Sequence, residues 1–175
     1  MEKRGGQEIP PQPENTEQNF NDQVWIKVTQ EGEQIRDKYY KGLGVETPPL
    51  EKDAEGWTEM QLYEVANLFG GEMYNGSPHL LIETTFRTKA PGGEDSGAIK
   101  NFNDEVWVKV TPEGEQVRRK YFKGLGMGTP KIQRNKEGWT EMQLYEVFNL
   151  FGSKMYNGNP SLSIETTFRT ETPKK

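Results

Sequence analysis

Hydrophobic and polar positions alternate near the start of the chain, with Val24, Ile26 and Val28 on one side and Trp25 and Lys27 on the other. A period of two predicts a half-buried strand, here one whose second face carries an indole and an ammonium. Thr29 stands where an N-cap is wanted, and the pattern predicts a helix from there to about Lys41, stopping at Gly42 in the run KGLG. Ile35 and Tyr39, with Leu43 beyond, supply its apolar stripe. Farther on, Thr58 and Gln61 have the Thr-x-x-Gln spacing of a capping box, with Trp57 and Leu62 at the hydrophobic-staple positions. That predicts a second helix over 59–69, ended by Gly70. A turn at Met-Tyr-Asn-Gly-x-Pro follows, and Leu80, Ile82, Thr84 and Phe86 alternate along a last strand. The order is strand, helix, helix, strand, with room for a short further strand in 45–57. It is an α+β unit, loosely like a winged helix.

The whole pattern then returns. Residues 19–88 and 101–170 align at a constant offset of 82 without a gap, and 50 of the 70 positions are identical. In the second copy the capping threonine is Thr111, followed by Pro112, a favoured first-turn residue. A repeat this long, present twice, reads as tandem duplication of a small domain with pseudo-two-fold symmetry rather than as an open array. A 70-residue unit buries only about 60% of its unfolded surface and usually needs a staple. The chain has no cysteine, and its single histidine, His79, is Ser161 in the second copy. Disulfides, thiolate zinc sites and a repeated histidine site are therefore excluded, no cofactor is implied, and the halves are expected to pair with each other in cis. Residues 1–18, polar with three prolines, read as a disordered tail; 89–100 read as a flexible linker and 171–175 as a second tail. Twelve linker residues reach at most about 40 Å, enough to permit that pairing.

Charge separates the copies. The net charge of −5 conceals a first copy with 6 basic and 12 acidic side chains and a second with 10 basic and 8 acidic. The halves are thus −6 and +2, and neither has the basic field of a general nucleic-acid binder. Three differences look like complementary pairs at a two-fold axis: Asp37 with Arg119, Glu72 with Lys154, and Ala66 with Phe148. They predict that the second helix lies near that axis.

Catalytic chemistry finds little support. No Ser/His/Asp set recurs, and Glu59, Glu64 and Glu83 (Glu141, Glu146 and Glu165 in the second copy) read as helix-turn and surface carboxylates. KGLG follows a helix, whereas a phosphate loop precedes one. For DNA reading, the second helix offers Glu59, Glu64 and Asn67, a poor set for base edges. The basic run Arg118, Arg119, Lys120 and Lys123 is diluted in the first copy by Asp37. With no long apolar run and no signal-type segment, the expectation is a soluble cytoplasmic protein without membrane partners.

The candidate chemistry lies on the second face of the terminal strands. If the aliphatic residues point inward, Trp25, Lys27, Glu83, Thr85 and Arg87 share one outer surface. Trp107, Lys109, Glu165, Thr167 and Arg169 repeat it. An indole offers a stacking platform, and flanking cations suit a phosphate or an acidic partner. Tyr74, Asn75, Tyr156 and Asn157 in the turns would add hydrogen bonds. The competing reading covers the indole with the other half and pairs Glu83 with Arg87 or Lys27 across strands.

The runs VWIKVT, GxxxRxKYxxGLG, EGWTEMQLYEVxNLFG and MYNG resemble short uncharacterised proteins of phages and gut bacteria, over both copies. The resemblance implies an anti-defence role of the sponge type, in which compact symmetric proteins sequester nucleotide-derived immune signals without cleaving them. Trp25 and Trp107 would then stack on a base, and Lys27, Arg87, Lys109 and Arg169 would hold phosphates. A protein-binding inhibitor using the same face against an acidic partner is the alternative, and a winged-helix-like DNA-binding regulator stands third.

Overall fold

The computed structural model describes residues 17–73, 81–91, 99–155 and 162–171. The first half runs β1 (Glu17–Asn19), β2 (Gln23–Ile26), α1 (Gln30–Gly42), β3 (Thr58–Gln61), α2 (Leu62–Phe69), a 3-10 turn (Gly70–Glu72) and β4 (Thr85–Arg87). The second repeats the order as β5 (Ile99–Asn101), β6 (Glu105–Val108), α3 (Pro112–Gly124), β7 (Thr140–Gln143), α4 (Leu144–Phe151), a 3-10 turn (Gly152–Lys154) and β8 (Thr167–Arg169). The described residues make an α+β structure of four α-helices and two four-stranded antiparallel sheets.

The sheets interlock. Their orders are β3-β2-β4-β5 and β1-β8-β6-β7, so each half contributes its first strand to the other half's sheet. Glu17 to Asn19 pair with Arg169 to Thr167, and Ile99 to Asn101 pair with Arg87 to Thr85. The 1–18 tail and the 89–100 linker therefore each yield their last two residues to a strand. Two- or three-residue ladders bury backbone groups only because a second chain segment is already there to receive them, which period-two patterning cannot reveal. At the crossover Phe20 N donates to Thr166 O at 2.8 Å, while Tyr63 N donates to Phe20 O at 2.8 Å. Phe102 repeats the arrangement with Thr84 O and Tyr145 N.

The core follows the helix crossing. Ala66 and Phe148 are both fully buried, and the Phe148 ring lies between Phe20 (centroids 6.3 Å apart) and Phe102 (5.6 Å). A single large ring thus fills the space between the two halves, opposite an alanine. A Cβ on Gly152 would sit 2.2 Å from Ala66 O, and one on Gly70 2.5 Å from Phe148 O. The backbones approach as closely as glycine permits. Glu72 and Lys154 lie on the two 3-10 turns, which meet. Asp37 and Arg119 are different: both are exposed on α1 and α3, and no ion pair joins them, so they are not an axial pair.

Each first helix is capped as its sequence predicts, with Thr29 Oγ1 accepting from Gly32 N and Thr111 Oγ1 from Gly114 N. Buried Arg36 ties the next loop down, its Nη2 donating to Pro48 O at 2.7 Å; Arg118 does the same to Pro130 O at 2.9 Å. The second helix departs from expectation. Residues 58–61 form β3 against β2, and helix α2 begins at Leu62 with Gln61 and Glu64 as its reciprocal capping box. Thr58 and Gln61 are not a box, and Trp57 is not a staple. Two overlapping capping spacings exist three residues apart, and the later one leaves Thr58–Gln61 free to ladder with β2.

Candidate functional site

The outer face of each sheet is built around its central strand. Trp25 on β2 pairs with Glu59 on β3 and with Arg87 on β4. Trp25, Lys27 and Arg87 are half-buried, as is Thr85. Trp57 immediately precedes β3 and shares the parity of Glu59, so it reaches the same face, where it is only 6% exposed. The Lys27 Nζ lies 4.9 Å and the Arg87 Cζ 4.6 Å from its ring centroid. In the second copy Lys109 and Arg169 stand 4.8 and 4.6 Å from Trp139. The four cations named from sequence therefore do gather in two pairs. The indole beneath them is Trp57 or Trp139, which the staple reading had hidden. A longer alternation, carried back from Met60 through Thr58, would have found it.

The two faces differ in how their cations are neutralised. Lys109 Nζ is 3.5 Å from Glu165 Oε2, and Arg169 Nε is 3.6 Å from Glu17 Oε2. On the first face Lys27 and Arg87 have no carboxylate within ion-pair distance among the described residues. Ile99 stands in register with Arg87 where Glu17 stands with Arg169. Arg87 Nε is buried without a hydrogen-bond partner. The cross-strand pairing considered for Glu83 and Lys27 thus forms only in the second copy, between Lys109 and Glu165. Exposed pairs of this kind are worth about 0–1 kcal/mol, and a phosphate can displace them.

Both remaining tryptophans line depressions. Trp25 borders a cleft of about 300 Å³ with Gln18, Asn19, Asp22 and Thr88. Gln18 and Asn19 are on β1, so this cleft lies between the two sheets. Trp107 borders a groove of about 460 Å³ with Lys131, Arg134, Thr140 and Glu141. Burial, and then the charge of Glu105 beside it, push the Glu141 carboxyl above its ordinary pKa. Lys131 and Arg134 were missed from sequence because they sit in the variable loop. That loop carries most of the charge difference between halves: 45–55 is net −3, and 127–137 is net +2. Arg134 also pairs with Glu115, as Lys52 does with Glu33 in the first copy. Tyr74, Asn75, Tyr156 and Asn157 lie outside the described residues.

Among the described residues no group of three or more His, Asp or Glu side chains is placed to hold a metal ion, and no helix is long and apolar enough to cross a membrane. No protein-family model, curated protein or solved structure matches the chain.

Proposed function

We propose that the chain is a non-enzymatic binding protein that captures a nucleotide-derived, phosphate-bearing molecule on its two aromatic–cationic faces. One observation carries the reading: a lysine and an arginine are held over a buried indole, and the pair occurs twice in the same geometry. Stacking on a ring fixes each cation at about 0.5–2 kcal/mol and leaves its outward N–H groups for a phosphate. Trp25 and Trp107, half-exposed beside those cations, would take the base. The groove at Trp107 adds Lys131 and Arg134, which makes it the roomier phosphate site. Sequestration of a signalling molecule in the bacterial cytoplasm by a phage anti-defence factor is the role to which this reading, with the sequence resemblance, leads.

Calorimetric titration of the full chain with cyclic dinucleotides and ADP-ribose derivatives tests it. Binding is expected to weaken about tenfold or more in Lys109→Met and Arg169→Met. Absence of binding across the panel removes the reading.

One observation favours the second reading, a flat surface for an acidic protein partner: the Trp57 and Trp139 rings are themselves covered, 6% and 3% exposed. Capture of a host protein by the wild type, lost in the same variants, would select it. DNA binding through a winged-helix-like unit draws support only from basic α3. Strand β3 stands between α1 and α2, so the two helices do not form a helix-turn-helix.

A further inference from the structure

Arg36 and its counterpart Arg118 are both buried, at 6% and 3% exposure, but their charges are met differently. Arg118 has a carboxylate and a carbonyl: Nη1 donates to Glu115 Oε2 at 2.8 Å and Nη2 to Pro130 O at 2.9 Å. Arg36 has the carbonyl alone, Nη2 donating to Pro48 O. Glu33, the counterpart of Glu115, pairs with Lys52 instead. Among the described residues no carboxylate lies within ion-pair distance of Arg36. Its Nε is buried without a hydrogen-bond partner. A guanidinium withdrawn from water without a counter-charge is costly, which favours any anion able to reach it.

Arg36 gives onto an open groove of about 550 Å³, bounded by α1, the segment 49–51 and β3, the edge strand of its sheet. That is the size of a small-molecule site. The Arg36 Cζ stands 5.6 Å from the ring centroid of Tyr40, which lines the same groove and is Phe122 in the second copy. Three carboxylates share the lining, and they differ. Glu64 is half-buried and committed to its helix cap, accepting from Gln61 N at 3.2 Å. Glu51 and Glu59 are exposed at the rim, with no ion pair among the described residues. An anion alone meets repulsion from that rim, and a cation alone leaves Arg36 without its counter-charge. A zwitterion satisfies both, and the excess of carboxylates calls for one whose cations outnumber its anions. The second copy does not repeat this chemistry. There Glu51 is Gln133, Pro49 is Lys131, and the buried arginine already has Glu115.

We propose that the groove beside Arg36 is a binding site for a free basic amino acid, whose carboxylate meets the Arg36 guanidinium and whose cationic groups meet Glu51 and Glu59. The site uses neither Lys27 nor Arg87, so it is independent of nucleotide capture on the aromatic–cationic faces. One such site exists per chain, in the first half.

Titration of the full chain with L-arginine, followed by amide and guanidinium NMR shifts, tests this. Saturable shifts are expected at Arg36 Nε–H and along 49–51 and 58–61, with none at 131–133 and 140–143. L-Argininamide, which lacks the carboxylate, should bind about tenfold more weakly or worse, since a buried guanidinium then stays unpaired. N-Acetyl-L-arginine, which has the chemistry of a peptide C-terminus, should also bind more weakly than the free amino acid. Arg36→Met should abolish the shifts. Because Arg36 also holds Pro48 O, the exposed variants Glu51→Gln and Glu59→Gln give a second reading free of any effect on folding. Each should weaken binding by about two- to fivefold, as for a solvated ion pair. No saturable shift with L-arginine, equal binding of the amide, tighter binding of the acetylated form, shifts in both halves, or rim variants that bind like wild type would each overturn the proposal.

Discussion

Replacing Gly152 by alanine isolates the helix crossing from every other contribution to stability. Gly152 has φ −52° and ψ −44°, ordinary helical values that alanine adopts freely. On backbone grounds alone, alanine should therefore stabilise by about 0.4–1 kcal/mol through the unfolded chain. The structure reverses the sign. The new methyl would lie 2.2 Å from Ala66 O and 2.9 Å from Ala66 C. A carbon meets an oxygen comfortably at about 3.3 Å or more, so one helix must retreat by roughly 1 Å in a close-packed core. Overpacking of that size costs about 1–3 kcal/mol, and the lost helix–helix contact adds to it. Urea unfolding of Gly152→Ala should show a midpoint well below wild type. Gly71→Ala is the control: its Cβ meets nothing within 4 Å, and serine already occupies the equivalent position 153. If Gly152→Ala is as stable as Gly71→Ala, the helices do not cross as described.

Three further outcomes follow from the same geometry. Phe148→Ala removes the ring between Phe20 and Phe102 and should cost about 3–5 kcal/mol in denaturant unfolding. Arg118→Met deletes the bonds to Pro130 O and Glu115 from a side chain that is 3% exposed, and should cost about 1–3 kcal/mol while making the 127–137 loop sensitive to protease. Glu105→Gln, which installs the residue found at position 23, removes the charge that helps hold the Glu141 pKa up. A carboxyl raised in the folded state favours folding at low pH, and that advantage fades as pH rises through its titration. The variant should therefore lose less stability than wild type between acid and neutral pH, as thermal unfolding across that range will show.

How far the residues alone led depends on the range of the interaction. The helix after Thr29 was legible because its cap, acidic first turn and glycine-rich end lie within fifteen residues and agree. It ends one residue beyond the predicted point, at Gly42. The second helix was misjudged because Thr58/Gln61 and Gln61/Glu64 offer rival caps, and only pairing with β2 decides between them. The strand exchange at Phe20 and Phe102 was invisible. A three-residue strand has no periodicity, and its partner lies more than a hundred residues away for β1. The cations were legible because alternation from Val24 to Val28, and along β4, needs no tertiary knowledge. The indole they cover was not, since Trp57 reaches that face only once β3 exists. Opposite charge on the two copies was plain, but its placement was not: Asp37 and Arg119 face outward, away from the centre where Ala66 and Phe148 are buried.

Hydrogen exchange followed amide by amide tests most directly that the two halves are one interlocked body. The Phe20 and Phe102 amides donate to carbonyls of the opposite half, Thr166 O and Thr84 O, at 2.8 Å each. They should exchange only through global unfolding, with the same free energy as amides in the middle of α2 and α4. Protection at Phe20 that vanishes while repeat two stays protected, or two separate exchange limits for the halves, would contradict the account.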